Sequence, residues 1–179
     1  VIEYYTKLIQ SVPDAKIILY NFEKLCGYKF SIECVKDLAT RFPKNVIGVK
    51  DSSYNLMGNL NIKNFSILPG SELKLLSGLK KDCSGIITAT CNVTAKLARK
   101  VFDDFEQNNE QTVNDKLCEV RKVFDQFNLI SGLHSFLSLT DKQFLNILPT
   151  CSLLNKKDEK ILIDKLKDLD FLKKDFKAA

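Results

Sequence analysis

With 179 residues, 45% of them hydrophobic and 27% charged, the chain has ordinary globular composition and enough apolar mass for a sizeable core, which excludes a disordered segment. The net charge of +5 comes mostly from tail lysines that alternate with acids, as in Lys157-Asp158-Glu159-Lys160; this pattern suits solvated helix faces and argues against a nucleic-acid partner. There is no signal peptide and no apolar stretch of about 18 residues, so a cytoplasmic protein without a membrane partner is expected.

The first half reads as alternating helices and strands. A helix over 1–10 carries Ile2, Tyr5, Leu8 and Ile9 at helical spacing, and its start at Val1 hints at sequence upstream. Pro13 leads to a strand near 16–20. Ser31 caps a helix over 32–42, with Ile32, Val35, Leu38, Ala39 and Phe42 on one face and Pro43 at its end. A strand over 46–50 follows, then a short helical segment over 53–60, a strand over 65–69, a helix over 72–80 and a strand over 85–90. Thr94 opens an amphipathic helix to about 107, with Leu97, Ala98, Val101, Phe102 and Phe105 along one side. Helices over 111–128, 131–145 and 156–168 then make an all-helical end.

Four successive strand-to-helix units call for a parallel sheet covered by helices or closed as a barrel. The expected class is α/β; four strands cannot close a barrel of eight, and in a (β/α)8 barrel they would make a half with an exposed edge, a conflict that upstream strands or a complementary chain would resolve. The expected division is 1–107 for the half-barrel and 108–179 for a helical extension.

Six cysteines (Cys26, Cys34, Cys83, Cys91, Cys118 and Cys151) are scattered without a CxxC pair, which favours reduced thiols over a disulfide scaffold. His134 is the only histidine and has no cysteine or second histidine at ligand spacing, so no metal site is expected and His134 is read as a surface or packing residue.

Two residues stand out by position. Lys50 ends the apolar run Val46-Ile47-Gly48-Val49, and Tyr20 closes the run Ile17-Ile18-Leu19. The carboxyl ends of parallel strands converge on one face, where catalytic residues gather, so the two could share a pocket. A lone ammonium there either pairs with a carboxylate or does chemistry. In the chemical reading, desolvation favours the free amine that attacks a ketone to form an imine, and the Tyr20 phenol relays protons. In the bland reading, Lys50 pairs with Asp51 or Glu23 and Tyr20 is a core ring.

The order and spacing of four segments resemble the pyruvate-dependent class I aldolases and lyases, the family of dihydrodipicolinate synthase, N-acetylneuraminate lyase and 2-keto-3-deoxygluconate aldolase. Tyr20-Asn21-Phe22 followed by Gly27 is similar to that family's Tyr-Asn segment, and Gly48-Val49-Lys50-Asp51-Ser52-Ser53 to its Schiff-base lysine motif. Gly70-Ser71-Glu72 falls where a glycine and polar groups face the substrate, and Gly85-Ile86-Ile87-Thr88-Ala89-Thr90-Cys91-Asn92 is similar to the last barrel strand. The resemblance runs from Val1 to about Leu166 and marks the chain as the carboxyl-terminal portion of such a barrel.

What the resemblance implies is a carbon-carbon lyase that uses neither metal nor organic cofactor. Lys50 would form an imine with pyruvate or another 2-oxo acid, and Tyr20 would relay protons. Gly70 and Ile87 would line the pyruvate end, while Ser71 and Glu72 would meet acceptor hydroxyls, although a turn glycine, a buried isoleucine and two helix caps explain these four equally. Self-association as a homotetramer or homodimer is also implied. Two departures bear on substrate. Leu25 stands where the synthases carry a carboxylate-binding arginine, and an isobutyl group cannot replace a guanidinium fork; Glu23 replaces a proline. A sugar-acid or sialic-acid type of 2-oxo acid is therefore expected first, with condensation of pyruvate and aspartate semialdehyde as the alternative. The family's paired hydroxyl residues belong to an early strand outside this sequence, which leaves a non-catalytic half-barrel subunit as the rival from another class.

Overall fold

The computed structural model describes residues 1–171; residues 172–179, the end of the expected helical extension, lie outside it. The chain divides into two compact units, Val1–Ile87 and Thr88–Ala179. This division follows packing, and is a separate matter from the expected boundary at 107, which concerns the elements that serve a barrel.

In the first unit a three-stranded parallel sheet has the order β1-β2-β3, with β1 at Ile17–Asn21, β2 at Val46–Asp51 and β3 at Ser66–Pro69. Parallel neighbours need crossovers, and here α3 (Ile32–Arg41) connects β1 to β2. Ser31 caps α3 as expected: its Oγ accepts from the Cys34 N–H at 3.1 Å. Alternation along the strands sends Leu19, Val49 and Ile67 to one side, where they pack with Ile9 of α1 (Ile2–Ser11), with Val35 and Leu38 of α3, and with Phe30, Leu56 and Leu60. On the opposite side Ile18 is exposed, and Tyr20, Lys50 and Leu68 are half-buried.

Two expected elements of this unit are absent. No helix forms over 53–60: Tyr54 adopts φ +57° and Gly58 φ +77°, and the Leu56 and Met57 N–H groups are taken by the Asp51 carboxylate, both at 2.9 Å. Residues 85–90 do not form a fourth strand. Ser84 N–H reaches the Ile67 carbonyl at 3.0 Å and Ile87 N–H the Pro69 carbonyl at 3.1 Å, so three residues here run against two of β3. That extra residue, with Gly85 at φ +137°, interrupts the ladder as a bulge does. The expected helix over 72–80 appears as a 3-10 turn, Glu72–Lys74, followed by α4 at Leu75–Leu79. One short helix was not expected: α2, Glu23–Cys26, which ends on Gly27 in the left-handed region at φ +64°.

The second unit is helical. It contains α5 (Cys91–Glu106), α6 (Asn114–Phe124), α7 (Leu129–Leu137) and α8 (Lys156–Asp168). The first of these begins three residues before Thr94, and α7 is shorter than expected because a 3-10 turn, Lys142–Leu145, replaces its last part. The core joins Val101, Leu117, Val120, Phe124, Leu162, Leu166 and Phe171, each at most 1% exposed. Phe124 meets Phe136 edge-on at 5.8 Å between centroids. His134 is a packing residue, as expected: its Nδ1 lies 2.9 Å from the Phe144 carbonyl, and its ring stands edge-on to the Phe144 ring. Arg121 of α6 donates to Thr88 Oγ1 and Thr90 Oγ1 at 3.0 and 3.1 Å, which anchors the turn ahead of α5.

All six cysteines are free thiols. Among the described residues no helix is long and apolar enough to cross a membrane, and no group of three or more His, Cys, Asp or Glu side chains could hold a metal ion.

Candidate active site

Parallel register places Tyr20 directly beside Lys50, and Lys50 beside Leu68. Both site residues sit near the carboxyl ends of their strands, on the face turned away from the helices. The Lys50 Nζ lies 4.3 Å from the centroid of the Tyr20 ring, within the range of a cation–π contact. Phe22 extends this aromatic wall, with its ring 6.0 Å from that of Tyr20. The two candidates read from separate strand ends are thus brought together.

The bland partners of Lys50 are engaged elsewhere. Both oxygens of the Asp51 carboxylate accept N–H donors: Asn21 Nδ2 at 2.8 Å on one, and Leu56 and Met57 N–H at 2.9 Å on the other. Glu23 pairs with Lys29 at 3.4 Å. Strand alternation explains the first case, because Asp51 follows Lys50 and so points to the opposite face.

Gly70 begins where β3 ends. Its N–H donates to the Asp51 carbonyl at 3.2 Å, and a Cβ at this position would meet Ser52 Oγ at 2.1 Å, so only glycine lets the chain after β3 pass the loop after the lysine strand without displacing Ser52. Ser71 and Glu72 follow. The Ser71 Oγ caps the 3-10 turn by accepting from the Leu73 N–H at 3.3 Å, and the Glu72 side chain is buried. Ile87 is 38% exposed and tied by its N–H to Pro69.

Leu25 lies on α2 and is 73% exposed. Glu23, the other departure, starts α2 with an acid in its first turn, a favourable place against the helix dipole. Its N–H also reaches Ser53 Oγ at 3.3 Å, a bond that a proline could not donate, so the loop after Tyr20 is fastened to the loop after Lys50.

Strand-end reasoning did not single out Asn21, Asp51 or Asn55. Asn21 and Asp51 are fully buried; the Asn21 amide donates to Asp51 Oδ1 and to Asn55 Oδ1, both at 2.8 Å, and its oxygen accepts the Phe30 N–H at 2.9 Å. A signal was available, since a polar residue directly follows each site residue and alternation must turn it inward.

The model of the dihydrodipicolinate synthetase family matches residues 1–163. An uncharacterized DapA-like lyase of Chloroflexus aurantiacus is 27% identical over 146 residues, which cover 78% of this chain and 49% of the relative. A 4-hydroxy-tetrahydrodipicolinate synthase of Wigglesworthia glossinidia brevipalpis is 33% identical over 96 residues, 51% of this chain and 32% of its own. Among solved structures, a dihydrodipicolinate synthase superposes with a TM-score of 0.83 at 19% identity over 96% of this chain and 61% of its own. The Escherichia coli K12 protein YagE, solved with pyruvate, gives 0.78 at 19% identity over 96% and 61% of the two chains. These similarities identify the fold as that of (β/α)8-barrel enzymes. The chain spans about half the length of the first of these curated relatives. With its lysine and tyrosine side by side at parallel strand ends and a family match over nearly its whole length, this chain belongs to the dihydrodipicolinate synthetase family.

Proposed function

We propose that the chain supplies the carboxyl-terminal half of a (β/α)8 barrel, 1–107, with a helical extension over 108–179, and that the whole protein is a Schiff-base-forming, pyruvate-dependent aldolase or lyase. The observation that carries this reading is the Lys50 Nζ lying 4.3 Å above the Tyr20 ring at adjacent strand ends.

In the cleavage direction the Lys50 amine adds to the ketone carbon of a 2-oxo acid, and the carbinolamine loses water to give an iminium ion. A base takes the proton of the C4 hydroxyl, the C3–C4 bond breaks, and its electron pair passes into the iminium to form an enamine. Protonation at C3 and hydrolysis then release pyruvate and return the amine. Tyr20 is the proton relay for these steps, because its ring lies 4.3 Å from the reacting nitrogen and its hydroxyl is the type of group that exchanges protons with a carbinolamine. Gly70 and Ile87 line the pyruvate end: the glycine lets the chain after β3 pass close to Ser52, and the isoleucine offers apolar contact. Ser71 and Glu72 are the acceptor-side candidates; capping uses an Oγ lone pair of Ser71 and leaves its O–H to donate.

The 2-oxo acid cleaved or formed is of the sugar-acid or sialic-acid type. Support comes from Leu25, exposed where a carboxylate-binding arginine would stand. The synthase reaction, pyruvate with aspartate semialdehyde, is the second reading, supported by relatives such as the Wigglesworthia synthase that carry that name. The working protein is a homotetramer or homodimer located in the cytoplasm.

Borohydride reduction of the whole protein in the presence of pyruvate should trap a covalent adduct on Lys50, located by peptide mass spectrometry. An unmodified Lys50 would overturn the mechanism in favour of a non-catalytic subunit. Pyruvate release from a panel of 2-oxo acids then separates the two acceptor classes.

A further inference from the structure

We propose that Asn21, bonded through its amide to Asp51, is a positioning residue that fixes the register of β1 against β2 and so holds Tyr20 and Lys50 face to face; the inference rests on the aldolase reading of that pair. The pairing of β1 with β2 slips between Ile17 and Ile18, at the start of the strand, so a tie at the far end adds to what the ladder supplies. A slip of one residue would turn either Tyr20 or Lys50 to the helix side.

Asn21 and Asp51 stand opposite each other one step beyond the site pair, and both are 0% exposed. Their bond crosses from one strand to the other, and the rest of the network spreads to both following loops. The Asn21 carbonyl accepts from the Ser52 and Ser53 N–H groups at 2.9 and 3.1 Å, while its side-chain oxygen takes the Phe30 N–H where the first loop returns. Asn55 closes the circuit by donating to the Phe30 carbonyl at 2.9 Å. Through its own carbonyl Asp51 also receives Gly70, so a third strand end joins the lock. A loop cap would need only Asp51 with Leu56 and Met57. The additional bonds connect the strand ends themselves. Buried polar pairs give little net stability compared with apolar residues, and their best-attested use is to specify register.

The test exchanges donor and acceptor. Asn21→Asp sets two carboxylates face to face, Asp51→Asn sets two amides, and the double variant Asn21→Asp/Asp51→Asn restores one complementary bond with the roles reversed. Single variants that remain folded by circular dichroism should form the pyruvate imine about tenfold more slowly or worse, with KM for pyruvate changed by less than about threefold, and the double variant should recover to within about threefold. A folded single variant at the unsubstituted rate, or a folded double variant as slow as the singles, overturns the inference. Should the buried variants not fold, the partly buried Asn55→Ala decides: it removes one acceptor of the Asn21 amide, and imine formation slowed by about threefold supports the lock while an unchanged rate refutes it. If the unsubstituted protein gives no borohydride adduct, the aldolase reading fails instead. The register is then read without activity, from the upfield NMR shift of the Lys50 ε-methylene protons over the Tyr20 ring. The single variants should abolish that shift and the double variant restore it; a shift unchanged in the singles sinks the proposal.

Discussion

The two faces of the small sheet contain alternate residues of the same three strands and do opposite work. On the helix side, Leu19 and Val49 are 0% exposed and pack among apolar side chains, with Asn21 and Asp51 as the polar exception at the strand ends. On the other side Ile18 is 44% exposed, and Tyr20 and Lys50 meet ring to ammonium. A period of two lets one short strand do both jobs, because every residue that holds the core sets the height and direction of its neighbour on the site face. The packed face fixes where the side chains of the open face stand, which is what a preorganised site requires.

Three experiments press on this contrast. The largest effect is expected from Lys50→Arg, which keeps a cation over the Tyr20 ring but presents no amine that can form the imine. Turnover should fall on the order of a thousandfold or more while the melting temperature stays near that of the parent, because loss of a nucleophile leaves only binding contributions. A melting temperature that falls together with activity would mean that this residue belongs to the packing.

The next is a pair of neighbours on opposite faces. Leu19→Ala should cost about 2–5 kcal/mol in urea unfolding by opening a cavity in the core, whereas Ile18→Ala should stay within about 0.5 kcal/mol. Equal losses would remove the distinction between the faces.

The smallest effect concerns Cys83, a buried thiol on the packed side. Burial pushes it up to about 11 from an ordinary value of 9.0, with the nearby charges of Asp51 and Asp82 adding to the shift. Because the folded state holds the proton more tightly than the unfolded chain, the contribution of this group is fully present below pH 9 and is lost as pH rises toward 11. Cys83→Ala should flatten the fall in stability across that alkaline window, and the exposed Cys26 should react with a thiol reagent well before Cys83 at neutral pH. A parent and variant with the same alkaline slope would mean that Cys83 is not held protonated by the core.

The sequence carries much of this. Strands at Ile17–Asn21, Val46–Asp51 and Ser66–Pro69, the Ser31 cap and the helix over 156–168 follow from local pattern, since apolar alternation and caps are properties of neighbours in the chain. The expected helix over 53–60 failed for a reason no local pattern contains: Asp51 claims the Leu56 and Met57 N–H groups that it would have used. The expected strand over 85–90 failed similarly, because a ladder depends on its partner, and here three residues run against two of β3.

The same division holds at the site. That a lysine and a tyrosine end two apolar runs is written in the chain, and residue type alone limits the chemistry they can perform. Only the tertiary structure decided that they are direct neighbours with the ammonium above the ring, and that Asn21 and Asp51 bond behind them, because register between strands 30 residues apart is set by pairing across the sheet and not by anything adjacent in sequence.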